Sequence, residues 1–183
     1  MNRLYLIAFI TCVSFFSSSP GFGATYSFSL EKEMHKIRIE TEIHKKPCSV
    51  FNAVTDYDNL SRFYSNLEYS KVLKKYHDFV VVEQLFVAKI IGINVKQRAT
   101  FRIKHTENKI TMEQIEGDFV HYRSIWLIRP HKNNTIMTID TEFKVNFLKN
   151  LFIKEASLEK KYTAFIKDMN QQVNSGRYED CTQ

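Results

Sequence analysis

NFLKNLFIKEASLEKKYTAFIKDMNQQV, residues 146–173, is the part of the chain from which the architecture follows most directly. From about Lys149 to Val173, apolar residues recur at steps of three, four or seven, the spacing that places side chains on one face of an α-helix. The apolar face consists of Leu151, Leu158, Tyr162, Phe165, Met169 and Val173. No proline or glycine interrupts it, and Gly176 follows as a typical helix end. The stretch predicts a long amphipathic helix whose apolar face the rest of the chain must cover.

The middle of the chain supplies that cover, because segment after segment alternates apolar and polar residues as β-strands do. The predicted strands are 35–43, 68–76, 79–90, 94–106, 109–116, 121–129 and 135–147. Two short helices, 48–54 and 57–64, are predicted between the first two strands, with Pro47 suited to a first helical turn. The predicted fold is therefore α+β: a curved antiparallel sheet of about seven strands wrapped on one long C-terminal helix.

The first 24 residues differ from the rest of the chain. Arg3 precedes an apolar run from 4 to 16, and Gly21 and Gly23 offer the small residues at which signal peptides are cleaved. The run is short for a membrane span, although an uncleaved anchor remains an alternative. We expect export, to the periplasm if the source is bacterial and by secretion otherwise. The predicted division is 1–24 signal peptide, 25–34 lead-in, 35–174 domain and 175–183 tail.

The basic charge does not point to nucleic acid. The formal net charge is +6, but the lysines are scattered, with short clusters at Lys45-Lys46 and Lys74-Lys75 and no interleaved aromatics. A solvated basic surface accounts for this pattern, and attraction to an anionic membrane stays open. We therefore predict no nucleic-acid partner.

The cysteines do not have the spacing of metal ligands. After removal of the signal peptide, Cys48 and Cys181 remain, and no nearby histidine completes a metal site. In an oxidising compartment they could form a disulfide that ties the tail to an early helix; two unpaired thiols are the alternative. We predict neither a metal nor a cofactor.

No catalytic motif is evident. The sequence has no HExxH pattern, no Ser-His-Asp order and no glycine-rich phosphate loop. Strand alternation turns a few polar side chains inward, and His105 lies among them near a strand end, where a histidine is more often hydrogen-bonded than catalytic. The inward polar positions are Gln97, His105, Gln114, Tyr122 and Ser124. We predict no catalytic residues.

Two segments carry a family resemblance. The first is PCSVFNAVTDYDNLSRFYSNLEYSKVL, 47–73, and the second is Gly117-Asp118-Phe119 followed by Trp126. In the first segment the resemblance rests on Phe51, Asp56, Phe63 and Ser70-Lys71-Val72. From about Lys36 to Val173 the chain resembles the START-like helix-grip superfamily, and within it the coenzyme Q-binding and polyketide cyclase-like proteins. The resemblance implies a helix-grip fold with an interior ligand cavity.

A bent sheet around one helix tends to leave an apolar cavity, the usual form of a small-molecule site. The expected function is a carrier or sensor for a lipid, isoprenoid or quinone-like molecule; a polyketide cyclase/dehydrase-like enzyme is the alternative, and a plain interaction domain a third. The missing acid–base pair favours the carrier. The predicted ligand-binding residues are Phe101, Trp126, Met137, Phe143, Tyr162, Phe165 and Met169.

The junction between the last strand and the long helix is unusually apolar. Phe152 and Ile153 lie about 100° and 200° round the helix from Leu151 of the apolar face, so at least one should face outward. Beside Lys149 and Lys154, they would suit transient contact with an anionic membrane surface. The alternative is that the early helices cover them, with Phe63 and Tyr64.

Overall fold

One sheet of nine antiparallel strands forms the body of the computed structural model, which describes residues 17–18, 23–90, 93–146 and 155–178. The strand order is β1-β2-β3-β9-β8-β7-β6-β5-β4. The strands are β1 (Ser17–Ser18), β2 (Ala24–Glu31), β3 (Met34–Ile43), β4 (Leu67–Lys75), β5 (Val80–Ile90), β6 (Ile93–Thr106), β7 (Lys109–Gly117), β8 (His121–His131) and β9 (Asn134–Lys144). The helices are α1 (Pro47–Thr55), a 3-10 helix (Tyr57–Arg62) and α2 (Glu155–Val173). The α+β helix-grip prediction is confirmed, and the seven predicted strands are β3 to β9.

Two strands were not predicted: the two-residue β1, within the predicted signal peptide, and β2, which apart from Ala24 lies in the predicted lead-in. Strand β2 pairs with β3 along its whole length, from Ala24 opposite Thr41 to Glu31 opposite Met34. The connecting turn has Lys32 and Glu33 at φ of 47° and 68°, values for which hairpins normally use glycine or asparagine. Because neither residue stands at this turn, the sequence pattern did not predict the hairpin.

Strand β3 joins distant parts of the chain. Its other edge pairs with β9, and Nη1 of Arg38 lies 2.9 Å from both carboxylate oxygens of Asp140 across that pair. Strands β4 to β9 are consecutive hairpins, so the sheet is a meander with the N-terminal hairpin added at one edge. Among the described residues, no helix is both long and apolar enough to cross a membrane.

Helix α2 lies with its apolar face on the inside. Leu158, Met169 and Val173 are buried, as the helical spacing predicted, and Tyr162 and Phe165 are half-buried. The buried side chain of Ile166 was not among the predicted positions, and Leu151 lies outside the described residues. The end of α2 is attached to α1 and to the loop before β4: Nε2 of Gln172 donates to the Ala53 carbonyl at 2.7 Å, and the Asp168 carboxylate accepts the Ser65 N–H at 2.9 Å.

A β-bulge shapes the turn between β7 and β8. The register of β6 and β7 shifts between Thr100 and Phe101, and Gly117 follows with φ of 141°. A Cβ at Gly117 would lie 2.5 Å from the Arg98 carbonyl oxygen, so only glycine fits there. Asp118 then accepts the Arg98 N–H at 2.8 Å, which fixes the turn. Gly117 and Asp118 of the Gly-Asp-Phe motif are therefore structural.

Candidate functional site

Six aromatic rings form a continuous chain across the inner face of the sheet, which we call the sheet belt. In order of contact they are Phe86, Phe101, Tyr122, Phe119, Phe143 and His35. Neighbouring ring centroids lie between 5.0 and 6.2 Å apart. Phe119 reaches the belt through the bulged turn, where Nε2 of Gln114 donates to the Phe119 carbonyl at 2.8 Å.

A second group of rings, the helix cluster, faces the belt from α2. Phe165 is its centre: its ring lies 4.9 Å from Tyr64, 5.8 Å from Trp126 and 6.4 Å from Tyr162. Trp126 belongs to β8 and contacts Phe165 of α2, so it connects the sheet belt with the helix cluster, which we call the two walls. Tyr64 follows the 3-10 helix, which places the loop before β4 against α2.

Several of these inward side chains keep accessible surface. Tyr122, Trp126, Tyr162 and Phe165 are only partly buried, whereas the neighbouring Phe101 is 0% exposed. A side chain keeps accessible surface where it borders a void or solvent. Tyr122, Trp126, Tyr162 and Phe165 are therefore the accessible part of the sheet belt and the helix cluster, whereas Phe101, Phe143 and His35 are packed as core residues are.

A small hydroxyl cluster lies between the two walls. Oγ of Ser124 is 2.7 Å from Oγ1 of Thr141, its direct partner in the β8–β9 pair, and it accepts the Trp126 indole N–H at 2.8 Å. Both hydroxyls are buried. Their hydrogen bonds meet the requirement that buried polar groups find partners, and they fix the orientation of Trp126.

Two phenols stand near this cluster. Burial raises the pKa of Tyr122 to about 12, an effect that the neighbouring Ser124 and Thr141 hydroxyls partly offset. Burial also raises the pKa of Tyr162, and the proximity of Tyr122 adds to that rise. Both phenols are therefore protonated at neutral pH and can donate hydrogen bonds.

The seven predicted ligand-binding residues occupy three places. Trp126, Tyr162 and Phe165 meet in the helix cluster, and Phe101 and Phe143 belong to the sheet belt. Met137 and Met169 are 0% exposed, as core residues are. Their binding of a ligand stays a prediction.

Sequence reasoning missed several members of the two walls. Phe86 and His35 are inward by strand alternation and could have been found from it. Phe119 depends on the bulged turn and Tyr64 on the path of a loop, which no local pattern indicates. Tyr122 was recognised as inward but was not placed in the ligand site.

His105 is inward, as predicted, and its Nε2 lies 2.7 Å from the Tyr57 hydroxyl. Among the described residues there is no group of three His, Cys, Asp or Glu side chains that could hold a metal ion.

A depression of about 220 Å³ on the outer sheet face is lined by paired charges such as Arg38 and Asp140, which form an ion pair in contact with solvent.

Two further predictions concern residues at the edges of the described structure. Lys149, Phe152, Ile153 and Lys154 lie outside the described residues, so membrane contact stays a prediction. Cys48 is disulfide-bonded in α1. Cys181 also lies outside the described residues, and its pairing with Cys48 therefore stays a prediction.

Comparison with known proteins identifies relatives of this fold. A sequence profile of the family described as polyketide cyclase / dehydrase and lipid transport matches residues 43–163. No curated protein matches the chain significantly in sequence.

Solved structures resemble the chain in fold at low sequence identity. The protein TTHA0849 from Thermus thermophilus is 19% identical with a TM-score of 0.67, over 78% of this chain and 99% of that one. The Zhui aromatase/cyclase from Streptomyces sp. R1128 is 14% identical with a TM-score of 0.65, over 78% and 98% of the two chains. Human StAR-related lipid transfer protein 5 is 10% identical with a TM-score of 0.65, over 90% and 88%. At these identities the likeness concerns the fold.

Proposed function

Because the chain belongs to the polyketide cyclase/dehydrase and lipid transport family, we propose that it binds a hydrophobic small molecule between the sheet belt and the helix cluster. The molecule would be a lipid, an isoprenoid or a quinone-like compound, and the protein would act as its carrier or sensor. One observation carries the proposal: Tyr122, Trp126, Tyr162 and Phe165 face inward and yet keep accessible surface. The name of the human lipid transfer protein of the same fold supports it.

A carrier accounts for these residues better than an enzyme does. A cyclase needs an acid or base that can exchange a proton near neutral pH. Burial raises the pKa of Tyr122 and of Tyr162, and Nε2 of His105 is hydrogen-bonded to the Tyr57 hydroxyl, outside the sheet belt and the helix cluster. The similarity to the Zhui aromatase/cyclase keeps cyclisation in the same space as the second candidate. Turnover of a poly-β-ketone thioester by the purified protein would favour that candidate.

We also propose export. Strand β2 begins at Ala24, immediately after Gly23. Gly21 and Gly23 are the small residues of the predicted signal-peptide cleavage site. Cleavage after Gly23 would leave a chain that begins with β2, and the buried Ala24 and Tyr26 side chains would stay in the core. Intact mass and N-terminal sequencing of the protein from its native host test this. A chain that still begins at Met1 would contradict it.

Ligand binding is tested on the purified protein lacking residues 1–23. Native mass spectrometry and solvent extraction should recover a hydrophobic molecule, and titration with neutral N-phenyl-1-naphthylamine should saturate. Phe165→Ala removes the centre of the helix cluster and should weaken binding by roughly tenfold or more. Phe79→Ala is the matched control, because Phe79 stacks on Tyr76 at 4.3 Å in the β4–β5 turn. Equal loss in both variants, or no saturable binding, would overturn the proposal.

A further inference from the structure

Two tyrosines stand on opposite sides of the proposed ligand space. Tyr122 stands in the sheet belt, where its ring lies 5.1 Å from Phe101 and 5.2 Å from Phe119. Tyr162 stands on α2, 6.4 Å from Phe165. Both side chains keep accessible surface although burial raises the pKa of each phenol. The phenols are thus largely desolvated, on side chains that are not fully buried.

Of the polar groups nearby, the buried Tyr64 hydroxyl also lacks a hydrogen-bond partner among the described residues, whereas Trp126 and the hydroxyl cluster are already hydrogen-bonded. The Trp126 N–H is used by Ser124, and Ser124 and Thr141 bond to each other. Within the described part of the chain, the Tyr162 hydroxyl makes no hydrogen bond. A desolvated hydroxyl without a partner is costly, and a ligand atom can supply that partner.

We propose that the Tyr122 and Tyr162 hydroxyls donate hydrogen bonds to a neutral oxygen acceptor of the ligand, the carbonyl of a ketone, quinone or ester. This inference rests on the proposed function and adds the chemistry of the ligand's polar end. The sheet belt and the helix cluster would hold the apolar body on either side of that carbonyl.

The surroundings favour a neutral acceptor over an anion. The rings in contact with the two phenols are Phe101, Phe119 and Phe165. A carboxylate in such surroundings would pay a large desolvation cost unless a cation paired with it. Lys161 precedes Tyr162, but it lies about 100° round the helix from it, and burial lowers the pKa of its amine.

Three matched probes test the proposal: fluorenone, fluorene and fluorene-9-carboxylate. They share a planar tricyclic body and differ in the polar group. Trp126 is the chain's single tryptophan and belongs to the helix cluster, so its emission reports occupancy of the space. Calorimetry gives an independent affinity. In the wild-type protein, fluorenone should bind roughly tenfold tighter than fluorene, and the carboxylate should bind most weakly.

The double variant Tyr122→Phe with Tyr162→Phe should bring fluorenone and fluorene to about equal affinity. Tyr26→Phe is the control, because this buried tyrosine on β2 is hydrogen-bonded to Thr163 and should keep the wild-type preference. If the double variant fails to fold, each single variant should still lose part of the preference.

The outcomes separate the two proposals. Equal wild-type affinity for fluorenone and fluorene, or tightest binding of the carboxylate, would overturn the neutral-acceptor inference and leave the proposed function standing. A fluorenone preference that survives both Tyr→Phe changes would overturn the role of the phenols. Binding of none of the three probes would overturn the proposed function itself.

Discussion

The Tyr57 hydroxyl lies 2.7 Å from Nε2 of His105, and the two rings stack with centroids 5.7 Å apart. Phe51 of α1 meets the same imidazole edge-on at 5.8 Å. Desolvation lowers the pKa of His105 below its ordinary 6.5 and raises the pKa of the Tyr57 phenol. A neutral histidine therefore helps to hold the early helices against β6.

This arrangement predicts a loss of stability in acid. The unfolded chain binds a proton at His105 more readily than the folded one, so the contribution is present above about pH 6.5 and is lost as the pH falls towards the lower folded pKa. The free energy of unfolding should fall between about pH 7.5 and pH 5.5, and less so in His105→Gln. His131→Gln, at an exposed histidine, is the control. An identical pH slope in His105→Gln and the wild type would contradict the assignment.

The bulged turn predicts a strong effect of a single methyl group. Gly117→Ala forces a Cβ to within 2.5 Å of the Arg98 carbonyl oxygen and should cost at least about 2 kcal/mol of unfolding free energy. The melting temperature should fall by roughly 4 to 8 °C. Gly176→Ala also has positive φ, at 80°, but meets nothing within 4 Å, so it should cost only about 1 kcal/mol. Equal losses of unfolding free energy in the two variants would contradict the role of the close approach between Gly117 and the Arg98 carbonyl oxygen.

Phe101 and Trp126 should separate core packing from ligand binding. Phe101 is fully buried, so Phe101→Ala should cost about 3–5 kcal/mol. Trp126 is only partly buried, so Trp126→Ala should cost less than about 3 kcal/mol but weaken uptake of N-phenyl-1-naphthylamine more strongly. Chemical denaturation and probe titration measure the two quantities. A large loss of stability at Trp126 with unchanged uptake would place it in the core instead.

Membrane contact is predicted from sequence at Phe152 and Ile153. Burial of each side chain is worth about 1.5–3 kcal/mol, so the pair beside Lys149 and Lys154 should give weak, reversible binding to anionic vesicles. Changing both residues to Ser should abolish vesicle sedimentation and keep the melting temperature. Leu73→Ser removes another exposed apolar side chain and should have no effect. Vesicle binding that persists in the double Ser variant would show that Phe152 and Ile153 are not the membrane contact.

The disulfide at Cys48 should make stability depend on reductant. The Tyr178 hydroxyl donates to the Asp56 carboxylate at 2.7 Å, which holds the tail beside α1 three residues before Cys181. Reduction should cost roughly 2–4 kcal/mol, and Cys181→Ser should remove that sensitivity. Peptide mapping of the protein lacking residues 1–23 should show Cys48 linked to Cys181. Free thiols at both positions without reductant would contradict the pairing.

The fold was largely predictable from the sequence because apolar residues recur at regular intervals in its core strands and in the long helix. Alternation identified β3 to β9, and helical spacing identified the buried face of α2. The parts that escaped depend on turns and loops: the Lys32-Glu33 hairpin lacks the usual turn residues, and Phe119 joins the sheet belt only because of the bulge at Gly117. Tyr64 meets Phe165 through tertiary packing, which no single segment encodes.

The position of β3 between β2 and β9 has a consequence for the order of folding. Strands β4 to β9 pair with sequence neighbours and can form hairpin by hairpin, and β2 can pair with β3 at once. The β3–β9 contact, in contrast, joins residues about a hundred positions apart, as in the pair of Arg38 and Asp140. Closing so long a loop is entropically slow. We therefore expect the N-terminal hairpin to wait for β9, so that one strand edge stays open to other chains until synthesis has passed the last strand.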